Sequence, residues 1–211
     1  MSRYSVYYFP AKGRAEPIRL VLEAAGVAYD NKYPQDWASE KSSLPFGQLP
    51  ALVIKDDAGK DVRTVAQTSA IVRYLATKHG LVHDDQETRF IADSLAESMR
   101  DIMDAYIQIA FRTPEADRPE KFADLKAKTI PGFIAAHTKY LEANGSNGYY
   151  FGNKLTYVEL ILFNLISSLN NALGGDAVTK ENAPALIKVH DTVKQHPKIA
   201  EYLASPRLHQ R

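Results

Sequence analysis

Residues 48–78 read QLPALVIKDDAGKDVRTVAQTSAIVRYLATK, and the fold of the first part of the chain turns on them. Pro50 stands directly before the apolar run Ala51–Ile54, and a second run, Val62–Val65, follows Asp57, Ala58 and Gly59. Two such runs around an Asp/Gly segment specify an antiparallel hairpin with a loop of several residues. From Ala70 to Lys78 the pattern changes: Ile71, Val72 and Leu75 keep a helical spacing, and Gly80 marks the stop. The stretch therefore reads strand, strand, helix. Upstream, Tyr4–Phe9 is aromatic and β-branched, the composition of a strand. Arg14–Ala25 is apolar at Ile18, Leu20, Val21, Leu22 and Ala25; Pro17 suits the first turn of a helix there, and Gly26 suits its end. A short strand around residues 27–33 and a polar stretch to Gly47 complete the order β-α-β, then β-β-α.

Beyond residue 84 the sequence offers no convincing strand. Phe90, Ile91, Leu95, Ile102, Met103, Tyr106 and Ile109 hold a helical period for about six turns. A second amphipathic run covers Phe122–Leu141, with a kink expected at Pro131 and Gly132. Residues 144–148 read as a loop, and further helices are expected over Thr156–Leu173, Ala183–Gln195 and Pro197–Ala204. The change of pattern near residue 80 sets the expected domains: a small α/β domain over 1–80 and an all-α domain over 84–211.

The 211 residues carry 26 Lys+Arg against 25 Asp+Glu, so the formal charge is +1. That balance argues against a general binder of nucleic acid, which would carry a basic surplus. A composition 45% hydrophobic and 24% charged belongs to a folded globular chain. No stretch approaches the roughly 18 apolar residues of a membrane span. Residues 6–11 are too short for a secretory core. With no cysteine, disulfides, thiolate metal sites and thiol chemistry borne by the chain itself are excluded together. A cytoplasmic protein is the expectation.

Six histidines are scattered without metal-ligand spacing, so no metal is expected, and no glycine-rich phosphate loop or GxSxG elbow occurs. Three features admit two readings each. Pro50 is either an ordinary strand-edge proline or a cis-proline that turns the preceding main chain outward to pair with a peptide ligand. Gln67, Thr68 and Ser69 open a helix, where Thr68 or Ser69 could serve as the N-cap and the free N–H groups could equally receive a carboxylate. Trp37, the single tryptophan, is a clamp over local core or a ligand contact. Thr156 and Glu159 form a capping box that serves structure. Asp101 lies beside Arg100 in the long helix, where a solvated face is the default.

These pieces in this order resemble the cytosolic glutathione transferases, in particular the tyrosine-using sigma and pi branches. The match is carried by Tyr8, Phe9 and Pro10, by Gly13 to Glu16 with Arg19, and by Asp36, Trp37 and Lys41. It continues through Leu44 to Pro50, Gln67, Thr68, Ile71 and Arg73 to Leu75. In the second domain Asp93, Asp101, Pro131, Gly132, Gly152, the Thr156–Glu159 box and Pro197–Leu203 fit as well. The resemblance implies a thioredoxin-like first domain, a helical second domain that contributes the electrophile pocket, a homodimer, and a cis-proline at Pro50. It implies glutathione as co-substrate, with no other cofactor, and a small hydrophobic electrophile as its partner in the reaction.

By position, Tyr8 is the hydroxyl that bonds the glutathione sulfur, and Arg14 helps hold that region and its electrostatics. Trp37 and Lys41 fall at the glycine end of glutathione. Gln48 and Leu49 fall at its cysteinyl backbone, Gln67 and Thr68 at the γ-glutamyl carboxylate. Asp101 reaches the γ-glutamyl amine from the neighbouring subunit, and Phe46 is the aromatic key inserted into that subunit. Thr68 stands where serine is usual, the 55–64 hairpin is longer than expected, and Phe111 replaces a pocket tyrosine of the pi branch. A glutathione-dependent isomerase of prostaglandin type and a catalytically silent member, as in lens crystallins, are the alternatives to a conjugating enzyme. By strand alternation Tyr7 faces the interior, opposite Tyr8.

Overall fold

The computed structural model describes residues 3–209. They fall into two compact units, one running up to Val82 and resumed from His196 onward, the other spanning His83–Gln195.

The first unit is built on a four-stranded sheet. Strand β1 (Tyr4–Tyr7) is buried at every residue and leads, through a 3-10 turn at Gly13–Ala15, into helix α1 (Glu16–Ala25). Pro17 lies in the first turn of α1, where its missing N–H costs nothing, and Gly26 ends the helix in the left-handed region at φ 68°. Glycine adopts that left-handed conformation without strain. Strand β2 (Tyr29–Lys32) pairs parallel to β1. The stretch read as polar loop holds a short helix, α2 (Trp37–Glu40), and two 3-10 turns at Lys41–Ser43 and Pro45–Gly47. Strands β3 (Ala51–Lys55) and β4 (Asp61–Ala66) form the expected antiparallel hairpin, with an irregular register at Ile54 and Lys55. Helix α3 (Thr68–Lys78) follows and packs on α1. Sheet order is β2-β1-β3-β4, so β1 and β3 are interior. Their near-continuous apolar composition follows from burial on both faces.

In the second unit, helix α4 (Gln86–Arg112) is followed by α5 (Arg118–Asp124), α6 (Ile130–Ala143), α7 (Tyr157–Ala172) and α8 (Pro184–Gln195). No strand occurs among its described residues. The run expected as one kinked helix stays helical from α5 into α6 and is distorted by a π-helical segment at Leu125–Thr129, just before Pro131. Pro131 has no N–H to bond the carbonyl four residues back, and the widened turn falls just before it. Helix α7 is the core element and packs on both α4 and α8. Its start is fixed by Glu159, which is fully buried and accepts the Thr156 N–H and hydroxyl at 2.8 and 2.6 Å and the Tyr150 N–H at 2.9 Å. The capping box thus ties the loop before α7 to the helix as well as closing its end.

The final helix, α9 (Pro197–Leu203), groups by its contacts with the first unit. It packs on α1, and its buried Tyr202 donates its hydroxyl to Glu16 Oε1 at 2.9 Å. Helical periodicity defines which face is buried but leaves the partner open, and here the partner lies some 180 residues away.

Candidate active site

Tyr7 is buried, with the Lys32 ammonium 4.7 Å from its ring centroid. Alternation therefore turns Tyr8, half-buried, to the other face. Its N–H donates to the Lys32 carbonyl at 3.0 Å, which holds the residue beside β2 one step past the strand. Its hydroxyl oxygen accepts the Arg14 N–H at 3.3 Å. Gly13 makes this approach possible: it holds φ 39°, and a Cβ there would lie 2.6 Å from Tyr8 Oη. Because the hydroxyl accepts the N–H, its own proton remains available to a further acceptor. The Tyr8 and Phe9 rings meet edge-on at 5.5 Å, and Phe9 meets Trp37 in the same manner at 5.7 Å.

Trp37 opens α2, whose N-terminus is well satisfied. Asp36 accepts the Ala38 N–H at 3.1 Å, and Glu40 reaches back to the N–H groups of Gln35 and Asp36 at 2.8 and 2.9 Å. Lys41 lays its stem beside Gly47. The Leu49–Pro50 peptide is cis, and Pro50 is buried. Among the described residues no hydrogen bond occupies the Leu49 main chain. Gln67 Nε2 donates to Gln48 Oε1 at 3.0 Å, which joins the segment before β3 to the start of α3.

The start of α3 differs from an ordinary cap. The cap position is Gln67, held at φ 79° and ψ 107°, and its side chain makes no capping bond. Thr68 is the first residue inside the helix rather than its cap, and its hydroxyl donates to the Arg14 carbonyl at 3.0 Å. Among the described residues no side chain accepts from the first N–H groups of the helix, the arrangement that attracts a carboxylate. Backbone strain at a non-glycine residue such as Gln67 persists where surrounding structure over-determines it, and such positions cluster at ligand sites. Phe46, at φ 59° and 75% exposed, is a second.

Tyr8, Arg14, Gln48, Leu49, Pro50, Gln67 and Thr68 are thereby linked or adjacent within the first unit, with Trp37 joined through Phe9. Asp101 lies in the second unit, exposed on α4. Sequence reasoning gave Phe9 no role of its own, although an aromatic next to the key tyrosine was signal enough. It named no residue in the chain's last turn. Arg207 pairs with Glu23 at 3.2 Å, and His209 Nε2 lies 3.1 Å from the Tyr33 hydroxyl. Burial pushes His209 down to about 4, with Arg19 and Lys12 adding to the effect.

Below the site, Arg19 is fully buried. It donates to Glu16 at 3.0 Å, to Asn31 at 2.9 Å and to the Ala11 carbonyl at 2.9 Å, so the loop between β1 and α1 is anchored from inside the helix. Among the described residues no cluster of His, Asp or Glu is placed to hold a metal ion. No described helix is long and apolar enough to cross a membrane.

Residues 2–77 match the family model "Glutathione S-transferase, N-terminal domain", and residues 100–206 match "Glutathione S-transferase, C-terminal domain". The class-mu 28 kDa glutathione S-transferase of Schistosoma japonicum is 30% identical over 207 residues, covering 93% of this chain and 95% of the relative. Glutathione S-transferase 3 of Caenorhabditis elegans is 28% identical, with 97% of each chain covered. The solved sigma-class enzyme of Fasciola hepatica superposes with a TM-score of 0.84 at 27% identity, covering 95% of each chain. The chain belongs to the glutathione S-transferase family, with the thioredoxin-like first unit and helical second unit of that fold. It is a transferase.

Proposed function

We propose that this transferase ionises glutathione at Tyr8 and adds the thiolate to small hydrophobic electrophiles, acting in the cytoplasm as a homodimer in detoxification. The observation that carries the reading is the Tyr8 hydroxyl, which accepts the Arg14 N–H and keeps its own proton to give. The chain has no cysteine, so the reactive sulfur comes from the ligand. A free thiol has a pKa of about 8.5, and making it mostly thiolate at neutral pH needs about 2.7 kcal/mol of preferential stabilisation. One hydrogen bond to a charged group contributes about 1.5–3 kcal/mol, so the Tyr8 O–H, aided by the nearby helix start, is sufficient in size.

The tripeptide is held along the same unit. Trp37 and Lys41 take its glycine end, and Gln48 and the open Leu49 main chain before Pro50 take its cysteinyl backbone. Gln67 and the first N–H groups of α3 take the γ-glutamyl carboxylate. Asp101 of the second subunit takes the γ-glutamyl amine, and the exposed Phe46 packs into that subunit. The test is turnover of a generic aromatic chloride with glutathione, beside a panel of epoxides, enals and prostaglandin H2, in wild type, Tyr8→Phe and Tyr7→Phe. In Tyr8→Phe the thiol pKa of bound glutathione, read from thiolate absorbance, should rise by about one to two units. Neutral turnover should fall about ten- to a hundredfold and partly recover in alkaline buffer. Tyr7→Phe should match wild type. An unchanged titration in Tyr8→Phe removes Tyr8 from the chemistry.

A further inference from the structure

The buried guanidinium of Arg19 has one donor left over. Its Nε and Nη1 are spent on Asn31, the Ala11 carbonyl and Glu16, but Nη2, equally buried, meets no acceptor among the described residues. The Glu16 carboxylate is itself divided, since it also accepts the Tyr202 hydroxyl at 2.9 Å. Tyr33 stands two residues beyond Asn31 and directly before Pro34, which favours extended backbone, so alternation sets Asn31 and Tyr33 toward one face. The last turn of the chain lies on Tyr33. His209 Nε2 is 3.1 Å from its hydroxyl, and the two rings meet edge-on with centroids 5.9 Å apart.

With the Tyr33 hydroxyl donating to Nε2, the neutral imidazole carries its proton on Nδ1. That nitrogen is buried and has no partner among the described residues. The charged groups that act on His209 are Arg19 and Lys12, both cations. Lys12 has no acidic partner among the described residues. Two buried donors without acceptors, in a field of positive sign, are completed by an acceptor that carries negative charge. Two fixed donors and one lysine suit a single charge. A divalent oxyanion would bring more acceptor oxygens than they can pair and a larger desolvation cost.

We propose that Arg19 Nη2, His209 Nδ1–H and Lys12 form a binding site for a small monovalent anion of chloride size, which joins the last turn of the chain to α1 and β2. Arg19 and Lys12 supply the charge, and His209 closes the site from the far end of the sequence. Loss of His209 should therefore abolish the response to the anion while leaving Arg19 and its other bonds in place.

Three measurements on the full chain test the site. In crystals grown with sodium bromide, the anomalous signal should place an ion within about 3.5 Å of Arg19 Nη2 and His209 Nδ1. In melts at constant ionic strength, chloride replaces gluconate, a monovalent anion too large for the site. The midpoint should rise saturably, by about 3–6 °C at ten times the dissociation constant. The imidazole titration of His209, followed by NMR, should move up by about half a unit or more in chloride, because a bound anion favours the charged ring. His209→Ala should lose the rise in midpoint, and Lys12→Met should increase the half-saturating chloride concentration about threefold or more. Lys60→Met, at an exposed lysine of the hairpin loop, should respond as wild type. Comparison with His209→Ala also removes any contribution from anions held elsewhere, such as at the start of α3. No ion at these atoms, or a rise as large in His209→Ala as in wild type, overturns the proposal. An ion found there with an unmoved midpoint and an unmoved His209 titration overturns it as well, as an adventitious ion only.

Discussion

Tyr7 and Tyr8 are neighbours with the same ring and different fates, and strand alternation accounts for both. What alternation could not give is the environment of the Tyr8 oxygen, which depends on a turn at Gly13 and Arg14. The same holds for His137. In sequence it is one scattered histidine; in the fold it is buried, with Nε2 2.9 Å from the Ser98 hydroxyl and Nδ1 2.7 Å from the Tyr150 hydroxyl. Ser98 donates its proton to the Leu95 carbonyl at 2.7 Å, so a neutral His137 donates from Nε2 and accepts from Tyr150 at Nδ1. Burial favours that neutral form and pushes the imidazole down to about 4. A histidine lowered on folding gives stability that is complete above its unfolded pKa of about 6.5 and is lost as pH falls toward 4. The difference corresponds to about 3 kcal/mol. Urea midpoints should fall steadily between pH 7 and pH 4.5, and His137→Gln should flatten that dependence while lowering stability at pH 7. An equally steep slope in the variant would clear His137 of the acid limb.

At the level of elements, most boundaries were legible because their signals are local. Gly26 after Ala25, the run before Gly59, and the box from Thr156 to Glu159 each state a start, turn or stop in a few residues. The elements that escaped lack such signals. Helix α2 is one turn long in a polar stretch, and the π-helical segment before α6 has Pro131, just after it, as its one local sign. Helix α7 offers the clearest energetic test. Burial pushes the Glu159 carboxyl up, while its bonds to Thr156 and Tyr150 pull it down. Glu159→Ala would leave the buried Thr156 and Tyr150 donors unsatisfied, at about 1–3 kcal/mol each, besides removing the cap. Unfolding free energy should fall by about 3 kcal/mol or more, with glutathione affinity little changed in the protein that remains folded. A loss below about 1 kcal/mol would mean that water replaces the carboxylate.

For the whole molecule the decisive quantity is the assembly. Phe46 is 75% exposed in a left-handed backbone conformation, and in the proposed dimer it is the residue that packs into the second subunit. Wild type should sediment as a dimer. Phe46→Ala should favour monomers and raise the KM for glutathione in parallel, because Asp101 no longer reaches a neighbour. Mixed dimers of one Asp101→Asn and one Tyr8→Phe subunit should keep about half of wild-type activity, since both lesions then share one site. A Phe46→Ala protein that stays a tight dimer removes the key assignment, and near-zero activity in the mixed dimer places Asp101 in its own subunit's site.

Composition and pattern alone determined that this chain has a βαβ-ββα unit followed by helices, that no thiol of its own enters the chemistry, and where the residues matching the family's motifs stand. Those are properties of adjacent residues: periodicity, turn residues and residue counts. Only the tertiary structure decided that the Thr68 hydroxyl meets the Arg14 carbonyl and that α3 begins without a side-chain cap. It also decided that His137 is neutral and that α9 returns to α1. Each of these depends on which distant group fills a hydrogen bond or covers an apolar face, and the pairing energy is realised only once the chain has brought the two together.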